Sequence, residues 1–235
     1  MVSETRIDIR RRDNARTAVR LAGILFITAT AATMLSQVLM TPIVAAQNPE
    51  ILAVGRRGLV ATAALLEIVN ALASAGIAIA LYPVLRQCAG MAATGYLGLR
   101  LIEGAVGVVA TVGLLLLVMT DGPGEANLAL AVHDSLFLLV LIVFSTGTLV
   151  LYPLLFRFRL VPVVLSIWGL IGGLMLLASC LLILFGKTET GEALDMVLSL
   201  PIWINEMALA LWLIVRGVDL HRAPLSPTKG PPYVG

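Results

Sequence analysis

The chain has 235 residues, of which 59% are apolar and only 13% charged, with a formal net charge of +2 and a mean hydropathy of +0.99. Soluble domains average about 45–50% apolar and about 25% charged, so the composition excludes a soluble domain or a nucleic-acid-binding module and predicts an all-α, polytopic membrane helix bundle. The two cysteines, Cys88 and Cys180, offer neither a disulfide framework nor a metal-ligand spacing.

Residues 1–20 carry Arg6, Arg10, Arg11, Arg12, Arg16 and Arg20 against Glu4, Asp8 and Asp13. They read as a basic cytoplasmic segment, an orientation signal that can also hold anionic lipid headgroups at about 1 kcal/mol per basic residue. Leu21 to Ala46 forms the first apolar run. It ends in the small residues Val44-Ala45-Ala46, but it is much longer than the roughly 7–15 residues of a signal-peptide core, so a retained first helix is expected. Further runs at Leu59–Leu85, Gly90–Met119, Leu128–Phe156, Leu160–Phe185 and Ala193–Val215 are each long enough to span a bilayer. The count is six helices, within a transmembrane unit of residues 21–222. Between them, Gln47–Gly58 is a polar connection, Thr120-Asp121-Gly122-Pro123-Gly124-Glu125 an acidic turn, and Lys187–Glu192 a charged loop. Residues 223–235, with four prolines, read as a disordered tail.

Lysine and arginine are distributed unevenly about these spans. Twelve of the sixteen fall on one side, Arg56, Arg57 and Lys187 fall on the other, and Arg100 lies inside a helix. By the positive-inside rule both termini are expected in the cytoplasm. Similar segments recur about every seventy residues, notably Leu81-Tyr82-Pro83 and Leu151-Tyr152-Pro153, as three helical hairpins would produce. The Tyr-Pro pairs are themselves explained by anchoring at the membrane interface, and Gly169-x-x-x-Gly173 by close helix packing.

Polar residues within the spans carry the functional signal. A charge at a helix centre costs about 2.5–3.5 kcal/mol on insertion scales, so it is expected to face protein or water and to have a partner. Helix 2 aligns Glu67, Asn70 and Ser74 on one face; helix 3 aligns Tyr96, Arg100 and Glu103; helix 4 carries His133 and Asp134; helix 6 carries Asp195, Ser199, Trp203, Asn205 and Glu206. Turned inward together, these stripes would set four acids (Glu67, Glu103, Asp134, Glu206) against Arg100 and one titratable histidine. The negative excess can be relieved by protonation or by binding a cation. Arg100 is expected to pair with Glu103 within the helix or to bridge to Glu206, and Glu103, near mid-membrane, is the leading candidate to titrate or bind.

Leu66-Glu67-Ile68-Val69-Asn70-Ala71, Leu81-Tyr82-Pro83, Gly95-Tyr96-Leu97-Gly98-Leu99-Arg100-Leu101-Ile102-Glu103, His133-Asp134, Trp168-Gly169-Leu170-Ile171-Gly172 and Asn205-Glu206-Met207 together resemble the pattern of the bacterial domain-of-unknown-function family DUF4386. The resemblance runs from Arg20 to Gly217 and implies a six-helix protein of the bacterial inner membrane, without an activity to carry over.

Three functional classes follow. The first is a membrane protein that binds or transports a proton, a cation or a small cationic or amphipathic ligand at Glu67, Asn70, Tyr96, Arg100, Glu103, His133, Asp134, Trp203, Asn205 and Glu206. The second is a non-catalytic structural or regulatory subunit. The third is an intramembrane enzyme using His133, Asp134 and the glutamates. A single intramembrane histidine argues against a metal centre, no nucleophile motif is present, and nothing in the pattern calls for a cofactor.

Overall fold

The structure is a computed structural model that describes residues 2–44, 46, 52, 55–119 and 123–218. The expectations for the arginine side chains up to Arg12, for most of Gln47–Gly58, for residues 120–122 and for the 223–235 tail lie outside the described residues.

Six long helices make up the described chain: α1 (Val2–Val44), α2 (Arg57–Cys88), α3 (Gly90–Met119), α4 (Pro123–Arg157), α5 (Val163–Leu184) and α6 (Ala193–Val215). All six are long and apolar enough to cross a membrane. The spans therefore match the apolar runs, with the notable differences at three of their starts. The first helix starts at Val2, so the basic segment continues it as one rod. The fourth begins at Pro123, inside the stretch expected to be a turn, because proline at a first helical position has its φ already set and no N–H to satisfy. The fifth begins at Val163 rather than Leu160. There Arg159 adopts φ 49° and closes α4 with hydrogen bonds from its own N–H to Phe156 O (3.2 Å) and from Leu160 N–H to Leu155 O (3.1 Å), and Pro162 then opens α5.

Each helix packs on its sequence neighbours, and α6 closes on α1, so the six form a ring. In lipid there is no hydrophobic force pulling helices together, and close backbone approach through small residues supplies the contact instead. A glycine sits at every interface of this ring. Gly76 meets Leu25 (α2 on α1), Gly104 meets the Ala71 carbonyl (α3 on α2), and Gly113 meets His133 and the Ala129 carbonyl (α3 on α4). Gly169 and Gly173 meet Tyr152 and Thr148 (α5 on α4), Gly172 meets Ile202 (α5 on α6), and Gly23 meets the Ala210 carbonyl (α1 on α6). The expected packing role of Gly169-x-x-x-Gly173 is thus observed. Leu65, Leu72 and Ile79 of α2 and their counterparts on the other helices point outward, exposed, as lipid-facing side chains should.

Two apolar clusters fill the interior. The larger draws on all six helices near the end that carries Arg86, Arg157, Arg159 and Arg216, called here the basic end. The smaller, at the opposite end, consists of α1–α4 residues such as Met40, Ile43, Val60, Leu114, Leu117 and Ala129. The polar side chains lie between them.

Candidate functional site

Arg100 is the hub of the first polar cluster. It stands on the inward face of α3 and is only 2% exposed, so its charge is answered inside the protein. One guanidinium nitrogen, Nη1, donates to both carboxylate oxygens of Glu103 at 2.9 and 3.1 Å. Nη2 reaches Glu206 Oε1 on α6 at 3.5 Å, and Nε donates to the Tyr96 hydroxyl at 3.2 Å. The intrahelical pair and the bridge to Glu206, alternatives on sequence grounds, are both made at once. Phe144, Phe26 and Tyr96 surround the guanidinium, with ring centroids 4.9, 5.7 and 5.7 Å from its carbon, an arrangement that stabilises a cation through the ring faces.

Beside this cluster lies a cavity of about 30 Å³, lined by polar Thr30, Thr33, Asn70, Ser74, Glu103 and Glu206 together with Phe137, Phe144 and Trp203. One water needs roughly 10–15 Å³ of such space, so the cavity has room for two or three waters or one small ion. Trp203 is half-buried and stacks on Phe144 at 6.0 Å.

A second cluster sits nearer the opposite end. His133 Nε2 is 3.1 and 3.0 Å from the two oxygens of Glu67, and its Nδ1 is 3.1 Å from Asp134 Oδ1. Ser36 of α1 donates to Glu67 Oε1 at 3.2 Å. Glu67 and His133 are buried, but the Asp134 side chain is 70% exposed.

The expected interior position of Asp134 is therefore corrected, and helix length gives the reason. Thr148 of α4 meets Gly173 of α5. In that antiparallel register Asp134 falls opposite residue 187, beyond the end of α5 at Leu184, so no neighbour covers it. Asn205 lies off the cavity and clamps three helices. Its Nδ2 donates to Leu165 O of α5 at 3.0 Å, and its Oδ1 accepts from the Tyr152 hydroxyl of α4. Tyr152, expected as an interface anchor, is accordingly 1% exposed in the core. Asp195 likewise stands apart, bonded to Ser179 and to the Gly191 N–H where α6 starts.

Sequence reasoning missed the contribution of α1. Thr30, Thr33 and Ser36 recur every third residue and are all buried, and that spacing was the available signal. Phe26, Phe137 and Phe144 carried no comparable signal, because their role appears only once the helices are assembled.

Among the described residues no three His, Cys, Asp or Glu side chains converge so as to hold a metal ion. Residues 21–217, most of the chain, match the domain of unknown function DUF4386. The chain belongs to the DUF4386 family. No curated protein and no solved structure matches it. Of the residues quoted above, Tyr96, Arg100, Glu103 and Glu206 of this DUF4386 protein meet in the first cluster and Glu67, His133 and Asp134 in the second.

Proposed function

We propose that this DUF4386 protein binds or transports a proton or a small cation at its Arg100–Glu103–Glu206 core. The observation that carries the reading is the sharing of one guanidinium between two buried carboxylates. Fully ionised, that set holds one negative charge more than it can balance, in a setting where an unpaired charge is costly. Glu67 has His133 as a partner of its own, whereas the two carboxylates that share one cation both border the cavity. The size of the cavity favours a proton or small ion over a bulkier amphipathic ligand, which would need the helices to part. The basic end is proposed to face the cytoplasm by the positive-inside rule, with the protein in the bacterial inner membrane and residues 1–20 and 223–235 flanking the bundle.

Glu103→Gln or Glu206→Gln removes the excess charge and leaves Arg100 matched by the other carboxylate. Each variant is expected to express and fold while losing proton uptake, read with an internal pH dye in proteoliposomes under an imposed pH gradient. Wild-type uptake in both variants overturns the reading.

A second reading, a non-catalytic subunit with a structural polar core, has its own support. No buried polar side-chain atom among the described residues lacks a hydrogen-bond partner, which is what a purely structural network requires. Loss of folded protein in both glutamine variants favours it.

A further inference from the structure

The second cluster forms a line from the surface inward. Asp134 is exposed, His133 is buried next to it, and Glu67 is buried beyond that, with a hydrogen-bonding contact of 3.0–3.1 Å at each junction. A structural ion pair needs one partner for the imidazole. Here each ring nitrogen has a carboxylate of its own, one outside and one inside, which is the arrangement that lets a histidine take a proton at one nitrogen and release it from the other. Beyond Glu67 the polar track continues along one face of α2 through Asn70 to Ser74, and along α1 from Ser36 to Thr33; Asn70, Ser74 and Thr33 all border the cavity. Phe137 stacks on the imidazole at 5.9 Å and lines the cavity as well, so it marks the junction of the two clusters.

We propose that Asp134, His133 and Glu67 form a proton relay that loads the Arg100–Glu103–Glu206 core from the opposite end of the bundle. The inference rests on the proposed function and narrows its cargo to the proton. The transfer balances: a proton collected on Asp134 passes to His133 Nδ1, the proton on Nε2 passes to Glu67, and waters in the cavity carry one proton on to Glu103 or Glu206. The ring regains its starting tautomer when Nδ1 gives its proton to water and Nε2 takes one from water on the same side, an exchange that moves no net proton along the line. The groups that face His133 and Glu67 are Ser36 from α1, Asp134 and Phe137 from α4, and the uncharged Gly113 from α3.

The test is infrared difference spectroscopy of the full chain in phosphatidylcholine nanodiscs after a rapid pH drop. The carbonyl stretch of a newly protonated core carboxyl is identified by its loss in Glu103→Gln or Glu206→Gln. Proton transfer through a positioned side chain is typically worth about 10²–10⁴-fold in rate; Asp134→Asn and Glu67→Gln are therefore expected to slow the rise of that band at least about tenfold while leaving its final amplitude unchanged. Asp134 is exposed, so its variant is expected to fold even if Glu67→Gln does not. A wild-type rate in Asp134→Asn overturns the relay and leaves the proton site standing. Absence of any core band in the wild type overturns both the relay and the proton form of the proposed function.

Discussion

Gly169→Ala tests how tightly α5 is seated on α4. A methyl group at that position would fall among the Cδ1, Cε1 and Cζ atoms of the Tyr152 ring, and neither partner can yield easily. The ring is 1% exposed, and its hydroxyl is tied to Asn205, which is tied in turn to Leu165 O. Overpacking of this kind costs about 1–3 kcal/mol. Displacing the tyrosine adds the loss of one interhelical hydrogen bond, on average about 0.6 kcal/mol in membrane proteins. Against these stands the helical preference of alanine over glycine, at most about 1 kcal/mol. The net expectation is a destabilisation of about 1–3 kcal/mol, set by the overpacking cost. Gly98→Ala is the control, since nothing lies within 4 Å of a methyl group there, and it should be neutral or slightly stabilising. Unfolding of the purified protein by SDS titration, followed through tryptophan fluorescence, measures both. Equal stability of Gly169→Ala and wild type, or equal loss in the two variants, would refute the argument.

Arg100→Met leaves Glu103 and Glu206 buried without their cation, and breaking a buried ion pair from one side costs about 3–5 kcal/mol; the same SDS titration should show it far less stable than Glu103→Gln. Outside the membrane, the Glu192 carboxylate accepts hydrogen bonds from the Thr188 hydroxyl (2.6 Å) and the Glu189 N–H (3.1 Å), and these hold its pKa below the usual glutamate range. The folded loop therefore favours the charged form, so its contribution is present above pH 4.5 and fades as pH falls through the lowered value. Thr188→Ala should move the Glu192 titration upward, measured by carboxyl carbon NMR, and no movement would remove the Thr188 bond as its cause. Cys88 is half-buried at the basic end and Cys180 is buried; a membrane-impermeant maleimide should label Cys88 in inverted vesicles and leave it unlabelled in right-side-out ones. The reverse pattern would invert the proposed orientation.

The spans were legible because each is a long apolar run, a signal that survives without knowledge of neighbours. The Arg100–Glu103 pair was legible because three residues of helix bring two side chains together whatever surrounds them. What could not be read depends on partners. Leu81-Tyr82-Pro83 and Leu151-Tyr152-Pro153 are nearly the same string, yet Tyr82 is half-buried with its hydroxyl 3.4 Å from Thr94, while Tyr152 lies in the core. The difference comes from α5 and α6, which offer Gly169 and Asn205 to the second tyrosine. Thr30, Thr33 and Ser36 were hidden for another reason: hydroxyl residues in a helix can satisfy themselves on a carbonyl one turn back, as exposed Thr28 does on Ile24 O at 3.0 Å. Their presence in an apolar run therefore does not by itself demand a polar neighbour.

Charge shows most clearly what assembly adds. A sequence gives only the sum of the intramembrane charges, four acids against Arg100 and His133. The fold partitions that sum. Asp134 goes to the surface because α5 stops at Leu184; Glu67 goes to His133; Glu103 and Glu206 are left to share Arg100. Of the four acids that the sequence groups together, two are thus left at one cavity wall to share one cation. This partition is why Glu103→Gln and Arg100→Met, which each change the core by one charge, are expected to act in opposite senses on stability. The first brings the core to neutrality, and the second leaves two carboxylates facing each other.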